Sequence, residues 1–231
     1  MFVFSIVFDR RYVALFKTKK LGRILTSLPF CVPFDTRYGI FQSLLAADKK
    51  VTQDEMHEAR MLAGGGFHHG PPGVQIEVRR GNMYKDSYDQ LDELGGGLRG
   101  RVQVSLVSAH GTAEAGIDGG GVFKEYMDVL VQDAFIEKDF FLETPHHLLK
   151  VNPAAPHKDL DFLGRVLAKA VYECILVEPQ FSIPFLKKLL SKNNAIDDLG
   201  LEDEEMFENL MKLKGMSGED IRGMGMAFEA T

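Results

Sequence analysis

"EAGIDGGGVFKEYMDVLV", residues 114–131, sets three consecutive glycines against a strongly patterned segment. From Val122 onward, Val122, Phe123, Tyr126, Met127, Leu130, Val131, Ala134 and Phe135 recur at helical spacing. Lys124, Glu125, Asp128, Gln132 and Asp133 fall on the opposite side. This is an amphipathic helix with one face for a core. A Walker-type phosphate loop would need Lys and then Ser or Thr after its last glycine, but Val122 and Phe123 follow Gly121. A dinucleotide fingerprint would need a strand directly before the glycines, and "SAHGTAEAGID" (108–118) reads as a loop. The turn is therefore read as structural. Asp118 is a candidate N-cap, and Gly119, Gly120 and Gly121 let the backbone pass close to a neighbour.

Outward from this helix, "VQIEV" (74–78) and "RVQVSLV" (101–107) alternate apolar and polar residues, the period of half-buried strands. "NMYKDSYDQL" between them reads as a short helix, and "LLKVN" (148–152) as a further strand. A long helix is expected over 158–176, with Leu160, Leu163, Leu167, Val171 and Cys174 on its buried face. "SIPFLKKLL" opens another helix, with Ser182 as its cap. Towards the N-terminus, 12–28 reads as a helix burying Leu25 and Leu28, and "PFCVPFD" breaks it. Asp35 then caps a helix carrying Phe41, Leu44 and Leu45. Residues 60–73, rich in glycine, histidine and proline, read as a surface loop. Strands and helices do not alternate regularly, so the expected class is α+β.

The 231 residues suffice for one large domain or two small ones. The opening "MFVFSIVF" has no basic stretch before it and is too short to span a bilayer. A net charge of −6 argues against general nucleic-acid binding. That charge is concentrated. Residues 195–231 carry ten acids against three bases, which leaves the remainder near +1. Cys31 and Cys174, the two cysteines, are read as buried thiols in a chain from a reducing compartment.

Four ordered segments resemble the HECT-type ubiquitin ligases, most closely the branch that includes ubiquitin-protein ligase E3B. They are "PFCVPFDTRYGIFQ" (29–42), "EVRRGNMYKDSYDQL" (77–91), "EAGIDGGGVFKEY" (114–126) and "FLGRVLAKAVYECILVEPQFSIPFLKKLL" (162–190). The resemblance implies a mostly helical α+β N-lobe with short antiparallel strands, truncated before the C-lobe. It divides the chain into an N-terminal helical extension (1–28), a large subdomain (29–190) and the start of a small subdomain (191–231). It also implies an E3 ubiquitin transferase that docks a ubiquitin-loaded conjugating enzyme, the E2. A cysteine of the C-lobe would take the ubiquitin and pass it to substrate lysines. Neither Cys31 nor Cys174 matches that cysteine, which lies beyond residue 231, so this chain alone is expected to be inactive. A non-catalytic E2- or ubiquitin-binding module is the alternative. The implied partners are an E2, ubiquitin and protein substrates, without cofactor, metal, nucleic acid or membrane, in the cytoplasm or nucleus.

By the same resemblance, the E2 groove falls on the helix "DEEMFENLMKLK" (203–214) and the strand "GMGMAF" (223–228), at Met206, Leu210, Met216, Met224 and Met226. The residue pattern agrees. Met206, Leu210 and Leu213 form one helical stripe with Phe207 and Met211 beside it, and five of the ten methionines lie within the last 26 residues. Methionine suits an adaptable apolar contact. Leu213, Phe207 and Phe228 are read as core. The pairs His68–His69 and His146–His147 lack a third metal ligand, and His110 with Ser105 or Ser108 lacks an orienting acid. Arg79 and Arg80 are read as partners of internal acids.

Overall fold

The computed structural model describes residues 19–62, 73–108 and 121–225. The architecture is mostly helical α+β, as the sequence led us to expect. In chain order the elements are α1 (Lys19–Ser27), α2 (Phe34–Leu62), β1 (Gly73–Arg79), α3 (Met83–Leu91), β2 (Arg101–Val107) and α4 (Gly121–Gln132). They continue with β3 (Phe141–Glu143), β4 (Leu149–Val151), α5 (His157–Tyr172), α6 (Ile183–Leu189), α7 (Ile196–Leu199), α8 (Glu204–Lys214) and α9 (Gly218–Gly223). Two compact units result. One holds the described residues up to Phe140 together with Ala155–Glu178. The other holds Phe141–Ala154 and the chain from Pro179 onward. Among the described residues, no helix is long and apolar enough to cross a membrane.

The first unit is built on a β-α-β crossover. The β3–β4 pair of the other unit is antiparallel, as expected, but β1 and β2 pair in parallel, with Ile76 opposite Val104 and Val78 opposite Leu106. The twenty-one residues between them carry α3 and a 3-10 stretch over Asp92–Arg99, long enough for the crossover that parallel strands require. The apolar edge predicted for α4 is in place. Tyr126, Met127, Leu130, Val131, Ala134 and Phe135 are all buried, and the helix passes into a π turn over Asp133–Glu137. Tyr84 and Tyr88 of α3 meet Phe162 of α5 edge-on, with ring centroids 5.8 and 5.1 Å apart.

Polar residues lock this core. Asp86 accepts from the Arg79 backbone N–H, the Arg79 guanidinium and the Asn82 amide, and Arg80 pairs with Glu125. The arginine doublet therefore serves internal acids, as read from the sequence. The Tyr126 hydroxyl donates to Ser87, and burial pushes its pKa above the ordinary tyrosine value.

Several local expectations are corrected. The long helix stops at Tyr172, not 176. Cys174 adopts φ = 57°, its N–H bonds Val171 O and the Ile175 N–H bonds Ala170 O, a left-handed stop that satisfies the last carbonyls. Cys174 is thus exposed beyond the helix end, and Cys31, in a 3-10 turn, is exposed as well; neither is a buried thiol. Leu28 is exposed rather than buried, and Leu25 is only partly covered. Asp35 lies within the first turn of α2 rather than ahead of it. That helix runs to Leu62, so the predicted loop begins later than residue 60. Residues 12–18, most of the 60–73 loop, His68, His69 and His110 lie outside the described residues.

Candidate docking site

The second unit holds the segment singled out for docking. Its base is the β3–β4 hairpin, extended by the chain before α6. The Leu149 N–H donates to Gln180 O at 2.7 Å and the Ser182 N–H to Leu149 O at 2.9 Å. Phe141, Phe181 and Phe185 cluster above it, with centroids 5.0–5.8 Å apart.

Ser182 is the N-cap of α6, as its sequence position suggested. Its oxygen accepts from the Phe185 N–H at 3.4 Å, and its hydroxyl donates to Glu202 at 2.6 Å. The residue is wholly buried, so one side chain ties a helix start to the segment that leads into α8. Ser182→Ala is expected to lower the stability of this unit by about 1–2 kcal/mol, from a lost cap and a partly covered Glu202 left without its donor. Faster hydrogen exchange at the amides of α6 is the measurement that checks it.

Lys187 of α6 grips both carboxylate oxygens of Asp198 at 2.6 and 2.7 Å, and Asp198 also accepts the Ala195 N–H. Lys187, then the Ala195 N–H, holds the Asp198 carboxyl below the usual carboxylate range. The α6–α7 corner is thereby fixed. Gly200 follows, and a Cβ there would sit 3.2 Å from the Phe207 ring. The glycine lets α8 pack closely on α7.

Asp203 caps α8 by accepting the Met206 N–H at 2.9 Å. Glu204 and Glu205 stand in its first turn and Lys212 and Lys214 in its last, the arrangement the helix dipole favours. Phe207 and Leu213 are partly covered, whereas Met206 is 52% exposed, Leu210 37% and Met211 38%. Met206 and Leu210 lie one turn apart on one side of α8. Met216 follows the helix end at 39% exposure, and Met224 sits at the C-cap of α9 at 55%. The side chains assigned to docking that fall within the described residues are therefore open to solvent, not sealed in a core.

Of the strand expected over 223–228, the described residues 223–225 are not extended. Ser217 caps a helical turn by accepting the Asp220 N–H at 3.3 Å, which draws Gly223 into α9. Met224 bonds back to Asp220 O and Ile221 O, and Gly225 at φ = 61° ends the turn. Glycine and methionine alternate here with a strand period, but at Gly223 and Met224 the serine cap just upstream prevails. Met226 and Phe228 lie outside the described residues, as do Asp118, Gly119 and Gly120. Gly121 opens α4, and a Cβ there would meet nothing within 4 Å, so any close approach at the glycine run does not involve Gly121. His147 contacts Glu143, and no group of metal-ligating residues forms among the described residues.

The sequence reading missed a second exposed apolar row. Ile183 and Leu186 of α6 and Leu190 at its C-cap are 45, 42 and 47% exposed at spacings of three and four. The periodicity was visible; which side of the helix faces solvent was not.

A HECT-domain (ubiquitin-transferase) profile matches residues 128–231, from the middle of α4 through the whole second unit. Over those residues the chain is similar to the HECT domain of ubiquitin transferases. It is 34% identical, over 93% of its length, to the E3 ubiquitin-protein ligase UPL6 of Arabidopsis thaliana. It is 29% identical over 95% to the E3 ubiquitin-protein ligase HUL5 of Saccharomyces cerevisiae, and 29% over 91% to ubiquitin-protein ligase E3B of Homo sapiens. The chain spans only 20, 25 and 20% of those relatives, respectively. The HECT resemblance drawn from the four segments, including its E3B-like character, is thus supported over nearly the full chain.

Proposed function

We propose that this HECT segment holds a ubiquitin-conjugating enzyme for an E3 ubiquitin transferase, with residues 29–190 as the large subdomain and 191–231 as the start of the E2-binding small subdomain. The observation that carries the reading is the exposure of Met206, Leu210, Met216 and Met224 in a chain related to E3 ligases. Flexible thioethers flanking a leucine make an adaptable apolar contact. The acids around them, Glu204, Glu205, Glu208, Glu219 and Asp220, favour a partner with a basic rim and raise the encounter rate more than the final affinity. The task is positioning: on this reading the carrier's thioester is brought to an acceptor cysteine of a C-terminal lobe. Neither exposed cysteine of this chain is assigned that role. Ubiquitin and protein substrates complete the partners, in the cytoplasm or nucleus.

Leu210→Asp and Met224→Asp each place a carboxylate in the contact. Each is expected to weaken binding of a ubiquitin-conjugating enzyme by at least about tenfold. Both positions are exposed, so the fold should survive, and amide spectra of the variants confirm that first. NMR titration with a set of conjugating enzymes reads the result. Equal binding by the parent chain and both variants would remove the assignment.

A further inference from the structure

The first unit contains an open cleft of about 490 Å³, walled by α2, the start of β2, the first turn of α4 and the residues just after α5. Four cations line it: Lys49, Arg99, Arg101 and Lys124. Glu173 is the single acid of the lining, and it is already engaged, accepting from Lys49 at 2.7 Å and from Lys169 at 2.6 Å. Behind the wall, Lys169 also donates to Gly100 O at 2.8 Å, and Arg99 Nε lies 3.9 Å from Asp48. Buried Lys169 and buried Asp48 cancel in charge, and among the lining side chains four cations face one acid. Burial lowers the Lys169 pKa, with Glu173 opposing. Burial likewise works to raise that of Glu173, but Lys169 and Lys49 overcome it and leave it below the ordinary value. Lys124 pairs with no acid among the described residues.

The cations surround an apolar floor. The rings of Phe123 and Tyr172 lie there with Met56, Val102 and Ile175. Concave walls of one charge sign focus the field and concentrate a counter-ion. Two guanidinium groups suit the planar, forked recognition of phosphate, and a phosphate monoester carries about −1.5 to −2 at neutral pH, opposite in sign to the cations of the lining. The volume falls within the range of small-ligand sites, about 300–1,000 Å³.

We propose that this cleft binds a phosphate monoester carried on an aromatic or aliphatic body, the phosphate held by Arg99, Arg101, Lys49 and Lys124 and the body by the Phe123–Tyr172 floor. Two sources share that chemistry: a free small phosphate ester and a phosphorylated side chain of another protein. The site is independent of the docking reading.

The test titrates the full chain with phenyl phosphate, with phenol, and with a phosphotyrosine peptide and its unphosphorylated twin, read by calorimetry and amide shifts. Saturable binding of phenyl phosphate that weakens as salt is raised, with no binding of phenol, is the expected result. Lys124→Glu, on an exposed helix surface, and Arg101→Glu, at the open end of β2, are each expected to cut affinity by about tenfold. Circular dichroism verifies that each variant folds. A phosphopeptide that binds more tightly than phenyl phosphate assigns the protein source; equal or weaker binding assigns the small ester. Failure of both phosphate compounds to saturate, or binding that survives both charge reversals, overturns the proposal.

Discussion

Phe162→Ala is expected to destabilise the first unit by about 3–5 kcal/mol, the range for truncating a fully buried aromatic side chain. Phe162 has no solvent exposure. Its ring is flanked edge-on by Tyr84 at 5.8 Å and Tyr88 at 5.1 Å, and the Arg165 guanidinium lies 6.0 Å from its centroid. The alanine leaves a hole bordered by two rings, of which Tyr84 is anchored elsewhere, which limits collapse. The Tyr84 hydroxyl donates to Asp159 at 2.5 Å, and its backbone N–H donates to Asp133 at 2.9 Å. Burial first, and then the Asp159 bond, pushes the Tyr84 pKa up, so its proton stays in that bond throughout the ordinary pH range. Urea unfolding followed by tyrosine fluorescence checks the value. A loss below about 1 kcal/mol would mean that the site repacks freely, contrary to these anchors.

Asp86→Ala is expected to cost about 2–3 kcal/mol at neutral pH, because four hydrogen bonds lose their acceptor in a residue only 8% exposed. The outer part of Arg79 rehydrates, but its backbone N–H and the Asn82 amide are left at the junction of β1 and α3. The same residue confers acid sensitivity. Hydrogen bonding from the Arg79 side chain holds the Asp86 carboxyl far below the usual carboxylate range, against the opposing effect of burial; the Arg79 N–H and Asn82 add to the lowering. A carboxyl depressed in the folded state stabilises fully above its unfolded pKa, about 3.9, and loses that contribution as pH falls from there toward the folded value. The parent chain should therefore lose stability progressively below about pH 4, and Asp86→Ala should show a shallower loss over the same interval. Urea midpoints measured from neutral pH downward distinguish the two. Parallel curves for the parent and the variant would deny Asp86 this role.

Much of the local structure was legible from residue order because its causes are local. Alternation over 101–107 marked β2 to the residue, and helical spacing after Gly121 marked α4 and its buried side. Ser182 was recognisable as a cap from its place before an apolar run. The candidate docking residues were legible in the same way, as a methionine-rich stripe, and the HECT resemblance singled them out. What spacing does not carry is which side of an amphipathic segment finds a partner. Phe207 and Met211 are neighbours on α8, yet Phe207 is partly covered beside Gly200 and Met211 is open. For the same reason the exposed row on α6 went unread.

Composition and periodicity by themselves determined the class, most of the elements and the concentration of acid and methionine near residue 231, since each depends on neighbours a few positions away. The left-handed stop at Cys174 and the helical turn at Gly223 are set by hydrogen bonds within a few residues, which periodicity does not register. Tertiary structure alone decided the parallel pairing of β1 with β2. It alone also brought Lys49, Arg99, Arg101 and Lys124 around one cleft. Those outcomes rest on contacts between residues tens of positions apart, whose free energies no short window of sequence contains.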